Sequence, residues 1–292
     1  PSIHEAVVTK SKGDEEKIAT GLATLHEEDP TFVYRVDSEL KQTIISGLGE
    51  LQLEIVVDRL KQKFNVEVDL IEPKVPYRET IRGKGESKYR HKKQSGGAGQ
   101  FAEVWMTVEP KARGEGVEFS NSLVGQSVDR VFVPSVEKGV NAACVEGILA
   151  GCMVVDVKAN FYDGKQHPVD SKDVAFQIAG KGAFKEAFMG AKPCLLEPIM
   201  EIEVKVPEDQ MGDVMGDISG RRGKVLGVDT EGGFQVIKAE VPQASLYRYS
   251  TTLRSLTGGR GTHREKFSHY ENMPGDVEKK VIAANTETEE EE

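Results

Sequence analysis

"PIMEIEVKVPEDQMGDVMGDISGRRGKVLGVDTEGGFQVIKAEVP", residues 198–242, changes its hydrophobic period twice. Its first ten residues alternate apolar with charged side chains, the period of a strand with one buried face. "EDQMGDVMGDISGRRG" shifts to helical spacing and stops at glycine, and "KVLGVDTEGGFQVIKAEVP" is a hairpin turning at Glu231-Gly232-Gly233. A second helix, "ASLYRYSTTLRSLTGG", ends at its own glycines, and "GTHREKFSHYEN" supplies a last strand. Over residues 195–272 the order is therefore β-α-β-β-α-β, that of a ferredoxin-like split-βαβ sandwich of the α+β class.

The same order occupies residues 1–76. "EAVVTK" reads as a strand. "GDEEKIATGLATLHEED" places Ile18, Leu22 and Leu25 at helical spacing, with Asp14 as N-cap and Asp29-Pro30 as the stop. "TFVYRVD" and "QTIISG" are strands, "LGELQLEIVVDRLKQKFN" is predicted to turn Leu48, Leu51, Ile55, Val56 and Leu60 to one face, and "VEVDLIE" closes the module. The two modules share an architecture without sharing a sequence.

Residues 77–194 differ. "ESKYRHKKQ" and "FAEVWMTVEP" are strands flanking a glycine turn, and "GVEFSNSLV" is a third. "SVEKGVNAACVEGILAG" is a helix with Val136, Val140, Ala143 and Ile148 inward. "VVDVKANFYDG" is a strand running into the loop "DGKQHPVDSKD", and "VAFQIAGKGAFKEAFMGA" is the last helix. Residues 273–292 are expected to hold a short helix at 276–285 and a disordered acidic tail.

A length of 292 residues suits two or three domains of about 100–150 each. No run approaches the roughly 20 apolar residues that cross a bilayer, and "PSIHEAVV" does not read as a signal peptide. The absence of an initial Met suggests part of a longer chain. Cys144, Cys152 and Cys194 lack CxxC spacing, which points to reduced thiols and the cytosol. The net charge of −10 is unevenly placed, because the last twelve residues hold five Glu and no base. Between Arg78 and Lys93, seven Lys/Arg stand against two Glu, a local excess of five positive charges. Overall acidity therefore leaves room for an anionic partner.

Three segments carry candidate chemistry. "SGGAGQ" is not a phosphate loop, which needs a terminal Lys and a following helix; Gln100 and a strand follow here. Taken alone it is either a hairpin whose glycines take positive φ or a turn whose N–H groups approach phosphates beside Lys88, Arg90, Lys92 and Lys93. "YDGKQHPVDSKD" sets His167 between Asp residues with no further ligands at metal spacing, so it is a partner-contacting histidine or a bystander. "SGRRGK" and "LTGGRGTHR" put Arg221, Arg222, Lys224, Arg260 and Arg264 at helix C-termini. That placement serves the helix dipole or an RNA backbone.

Together the stretches are more specific. "EEDPTF", "ISGLGELQLEIVVDRL" and "VPYRETI" resemble the segment after the second domain of elongation factor G. "YRHKKQSGGAGQF" and "DGKQHPVDSKDVAF" resemble the two loops at the tip of its fourth domain. "EPIMEIEVKVPEDQMGDVMGDISGRRGKV" and "LRSLTGGRGT" resemble its last domain. The match runs in order through the whole chain except the acidic tail. It departs at Ala98, where the family usually carries Arg, at Phe101-Ala102 in place of Tyr-Gly, at Pro168 in place of an acid, and at Gln52 in place of a frequent His.

The resemblance implies three domains: two ferredoxin-like split-βαβ sandwiches flanking a domain like ribosomal protein S5 domain 2, with a left-handed crossover, and a C-terminal helix packed on that middle domain. It implies translocation on the ribosome, with the tip loops Ser95–Gln100 and Gly164–Asp170 entering the decoding region. RNA and ribosome contacts fall at Lys88, Arg90, Lys92 and Lys93, at Ser95, Gly96, Gly97, Ala98, Gly99 and Gln100, at Lys165, His167 and Asp170, and at Arg221, Arg222 and Arg260. The implied partners are rRNA, the mRNA–tRNA duplex and stalk-base proteins, for a cytoplasmic, monomeric protein without a membrane role. No catalytic residue, metal or cofactor is implied within these residues; GTP and Mg²⁺ belong to a nucleotide-binding domain of the parent chain. The alternatives are a paralogue for ribosome recycling or ribosome protection and, from another class, a metabolite-binding regulatory protein.

Overall fold

The computed structural model describes residues 3–94 and 99–291, with side chains described as far as 285. The chain forms two compact units, residues 1–76 with 198–269 and residues 77–197 with 270–292.

The first module holds β1 (Ile3–Thr9), α1 (Glu15–Glu28), β2 (Val33–Asp37), β3 (Gln42–Gly47), α2 (Glu50–Phe64) and β4 (Val68–Ile71). Its antiparallel sheet runs β2-β3-β1-β4, the ferredoxin-like order. Ile18, Leu22 and Leu25 of α1 enter the core as their spacing predicts. The inward face of α2 does not follow the prediction. Leu53, Val56 and Leu60 are buried, whereas Leu48 and Ile55 are exposed and Leu51 is 70% exposed. Leu48 precedes the helix, and the 53–56–60 stripe is the one buried with Ile18, Leu22 and Leu25 of α1. Asn65 ends α2 in the left-handed conformation (φ 53°), its N–H returning to the Leu60 and Lys61 carbonyls.

The middle module contains β5 (Arg78–Ile81), β6 (Gly85–Lys93), β7 (Gln100–Pro110), β8 (Glu118–Asn121), α3 (Val133–Glu146), β9 (Met153–Val154), β10 (Val157–Lys165) and α4 (Asp173–Gly190). The main sheet is ordered β6-β7-β10-β8, with β10 and β8 parallel. One sheet face is covered. Ala102, Val104, Met106 and Val108 of β7 point to the same core as Ala175, Ala179, Ala183 and Ala187 of α4. Small residues let the helices come close: a Cβ on Gly139 would lie 2.1 Å from the Gln177 carbonyl oxygen, and one on Gly180 would lie 2.8 Å from that of Val136.

The sequence predicts α3 to continue to residue 151, but it ends at Glu146. Gly147 takes φ 80°, and the buried Glu79 carboxylate then gathers the loop. It accepts N–H bonds from Ile148 (2.8 Å), Leu149 (2.7 Å), Ala150 (2.8 Å) and Cys152 (2.9 Å). These bonds outcompete a further helical turn, and Ile148 packs from the loop instead. β5 and β9 are absent from the sequence prediction, being only four and two residues long.

The last module contains β11 (Pro193–Pro207), α5 (Met211–Gly220), β12 (Lys224–Glu231), β13 (Phe234–Pro242), α6 (Tyr249–Leu256) and β14 (Thr262–Asn272), followed by α7 (Gly275–Glu291). The first residues of β11 pair with β5, and Ile199–Pro207 pair with β13. The sandwich order is again β12-β13-β11, with β14 also on β11. Ile202, Val204 and Val206 alternate into a core shared with Val214, Ile218, Tyr249 and Leu253. Within its unit, this sandwich meets the first through Glu5, which is buried and accepts bonds from Tyr247 Oη (2.9 Å) and Arg248 Nε (3.2 Å).

The helix α7 packs on the middle module. Glu278 accepts the Leu195 N–H at 3.0 Å, Asn285 donates to the Ala150 carbonyl at 3.0 Å, and Met273 is buried beside Leu195. The helix runs from Gly275 to Glu291, longer than the predicted 276–285. After Gly275 the run lacks Gly and Pro, and glutamate is a good helix former. Among the described residues, no helix is long and apolar enough to cross a membrane.

Candidate functional site

The basic hairpin and the histidine loop lie together at one end of the middle module. Cross-strand register places Lys88 opposite Trp105, Arg90 opposite Glu103, Lys92 opposite Phe101 and Lys93 opposite Gln100. Of the turn that joins the strands, Ser95, Gly96, Gly97 and Ala98 lie outside the described residues.

The second loop is laced to this hairpin. Ser171 Oγ accepts the His167 N–H (2.8 Å) and donates to the Phe101 carbonyl (2.7 Å), while the Phe101 N–H reaches the Asp170 carbonyl (3.0 Å). A Cβ on Gly99 would lie 2.9 Å from Asp170 Cγ, so glycine there permits the contact. The Phe101 and His167 rings meet edge to face with centroids 6.3 Å apart. His167 Nδ1 accepts the N–H groups of Val169 (3.3 Å) and Asp170 (3.2 Å). In a neutral ring this puts the proton on Nε2, and the side chain stands exposed to solvent.

The open sheet face continues the site. A β-bulge between Phe161 and Asp163 brings Lys165 opposite Glu103. Glu103, itself buried, takes Trp105 Nε1–H (2.8 Å) and Arg90 Nε–H (2.7 Å), with Lys165 Nζ 3.9 Å away. Burial pushes the Glu103 carboxyl up, but the bonds from Trp105 and Arg90 and the nearby positive charges outweigh it. Its pKa is therefore held below the ordinary glutamate value. Lys88 Nζ sits 4.1 Å from the centre of the Trp105 ring. Gln100 Oε1 meets His91 Nε2 at 3.0 Å.

Thus Lys88, Arg90, Lys92, Lys93, Gly99, Gln100, Lys165, His167 and Asp170 gather on this one module. Arg90 and Lys165 balance Glu103, whereas the side chains of Lys92 and Lys93 are exposed. Arg221, Arg222 and Arg260 belong to the last module. Arg221 is committed to the fold: its three guanidinium nitrogens contact Asp217 (2.8 Å), the Ser245 carbonyl (2.7 Å) and Thr252 (3.1 Å). Arg222 is exposed at φ 62°, and Arg260 reaches Asp209 at 3.6 Å. Sequence reasoning missed Ser171, Glu103, Trp105 and Tyr162. Alternation along "FAEVWMTV" puts Phe101, Glu103 and Trp105 on the open face, but the lacing by Ser171 spans 70 residues and leaves no local pattern.

In chain order the molecule is thus a ferredoxin-like sandwich, a module that carries a basic hairpin tied to a histidine loop, and a second such sandwich. Family models match in the same order: elongation factor G domain III over residues 1–72, domain IV over 73–192 and the elongation factor G C-terminus over 194–281. The chain belongs to the elongation factor G family. It is similar to a protein from Thermus thermophilus of known crystal structure, at 38% identity and a TM-score of 0.86, over 98% of this chain and 43% of that one. The chain thus spans less than half the length of that relative.

Proposed function

We propose that this chain is the ribosome-engaging part of an elongation factor that promotes GTP-dependent translocation, its middle-module tip entering the decoding region. The observation that carries this reading is the interlock of the two tip loops through Ser171, Phe101 and His167. These bonds hold the His167 loop against the hairpin stem at Phe101. The loop presents the His167 Nε2–H as a donor to phosphate, ribose or base oxygens, with Lys92 and Lys93 on the adjoining stem. A tip occupying the decoding site blocks return of tRNA while the small subunit moves. Arg222 and Arg260 of the last module supply charge for rRNA near the stalk base, and the protein works in the cytoplasm with translating ribosomes. GTP and Mg²⁺ act in a nucleotide-binding domain of the parent. In sequence the glycine turn lacks the terminal lysine of a phosphate loop, and we assign the nucleotide chemistry to that domain of the parent.

The test has two arms. The chain should pellet with ribosomes at about 50 mM salt and be released at about 200 mM; indifference of ribosomes at low salt sinks the reading. His167→Ala in the full parent should slow single-turnover translocation, and an unchanged rate makes His167 a bystander. The departures at Ala98 and Pro168 leave a recycling paralogue as the second reading; splitting of post-termination ribosomes without tRNA movement would select it. The metabolite-binding alternative loses ground. The hollow of about 290 Å³ beside Leu51 and Ile55 has its polar wall used internally, with Gln52 bonded to Asp29 (2.7 Å), Thr31 (2.8 Å) and the Leu48 N–H (2.7 Å).

A further inference from the structure

We infer that the open face of the β6-β7-β10 sheet is a second RNA site, at which an unpaired base stacks on Trp105 while Lys88 and Lys165 hold the flanking phosphates. The inference rests on the reading that the chain acts on RNA, and it extends the contact from the tip loops to the side of the arm.

The placement is specific. Trp105 lies on the sheet face opposite the core formed by Val104 and Met106, so its indole contributes little to that core. It is nevertheless held in one orientation. Its Nε1–H is bonded to the buried Glu103 at 2.8 Å, and the Tyr162 ring meets it edge-on at 6.1 Å and 60°. Tyr162 is fixed in turn by its hydroxyl bond to Glu86. Burying a carboxylate is costly unless it is fully paired, and here Arg90 and Lys165 complete the pairing of Glu103. The result is a fixed aromatic plate.

What stands over the plate is cationic. Lys88 Nζ lies 4.1 Å and Lys165 Nζ 6.0 Å from the ring centre. A lysine on an exposed four-carbon stem swings aside at small cost, exchanging the ring for a phosphate while the base takes the ring face. Aromatic plates flanked by lysines are how proteins hold single strands without reading sequence. Counted over the whole face, Lys88, Arg90, Lys92 and Lys165 stand against Glu86, Glu103 and Asp163, the last opposite Trp105 in the register, and the one positive charge left over favours an anionic occupant. Five strand residues, about 17 Å, separate Trp105 from the hairpin end at Gln100. A strand leaving the tip therefore reaches the plate within a few nucleotides.

Trp105 is the one tryptophan in the 292 residues, so its fluorescence reports this face alone. Fluorescein-labelled oligouridine is titrated into the full chain at low salt, following both RNA anisotropy and tryptophan emission. The inference expects saturable quenching that tracks the anisotropy. It also expects a loss of about fivefold to a hundredfold in affinity for Trp105→Ala, partial retention for Trp105→Phe, and a salt slope reduced by about one for Lys88→Ala. Binding by anisotropy without quenching, or with Trp105→Ala unaffected, overturns the sheet-face site and leaves the RNA reading standing. Ribosome pelleting without oligouridine binding also overturns it. Failure of both pelleting and oligouridine binding removes the RNA reading itself. Quenching by polyglutamate but not by RNA assigns the face to a protein partner and overturns the inference.

Discussion

The hydroxyl of Ser171 donates to the Phe101 carbonyl at 2.7 Å, joining two tip loops that are 70 residues apart in sequence. The same oxygen accepts the His167 N–H at 2.8 Å, so one side chain sets both the hairpin stem and the histidine. Ser171→Ala should cost about 0.5–1.5 kcal/mol globally but act mainly on the tip. We expect faster hydrogen exchange at the amides of Phe101 and His167, with the amides of β11 unchanged. Equal acceleration across the chain would show that the bond is not a local tie.

Glu79 presents a different kind of tie. Its wholly buried carboxylate serves four backbone N–H groups of residues 148–152. Glu79→Ala takes the acceptor from all four donors, and a cost on the order of 3–5 kcal/mol is expected from urea unfolding. Glu79→Gln keeps one carbonyl acceptor and should fall between alanine and the native chain. A loss below about 1 kcal/mol for the alanine variant would mean that water replaces the carboxylate freely.

These two residues also show how far the sequence was readable. The sandwich modules were legible because their signals are local: alternation in β11, glycines at the ends of α5 and α6, and the Gly232-Gly233 turn. The resemblance supplied the middle module, whose helix pair and glycine hairpin its own periodicity only outlined. The inward face of α2 was misread because Leu51–Ile55 and Leu53–Val56–Leu60 are both helically spaced, and only packing against Leu22 and Leu25 chooses between them. Glu79 and Ser171 act across 69 to 73 and 70 residues respectively, distances at which composition carries no signal. Trp105 was visible as a residue. Its role needed the register that sets Lys88 opposite it and Glu103 two positions away on the same face.

Helix packing gives a paired prediction. Gly139 lets α3 approach α4 so closely that a methyl group would meet the Gln177 carbonyl oxygen at 2.1 Å, a backbone atom that cannot turn away. Gly139→Ala should therefore destabilise by about 1–3 kcal/mol or more through overpacking. Gly216, inside α5, has nothing within 4 Å of the equivalent position. There the same substitution should stabilise by about 0.5–1 kcal/mol through helix propensity. Thermal unfolding of the two variants should shift in opposite directions. A Gly139→Ala protein as stable as the native one would show that the helices separate without penalty.

The Glu103 carboxylate supplies the pH test. Burial raises its pKa, but the Trp105 and Arg90 bonds and the charge of Lys165 bring it below the ordinary glutamate value. A group depressed in the folded state adds stability that is fully present above its unfolded value, about 4.3 for glutamate. That contribution falls away as pH drops through the folded value. Trp105 emission should hence stay constant from neutral pH to about 5. Only once the pH falls below the ordinary glutamate value should it change, as protonation weakens the Nε1–H bond and releases Arg90. Glu103→Gln should remove that transition and also free the indole to reorient, lowering the emission anisotropy at pH 7. If the native chain shows its transition near pH 6, the carboxyl is raised and burial has won over the pairing. The fixed aromatic plate would then lose its anchor under mildly acidic conditions.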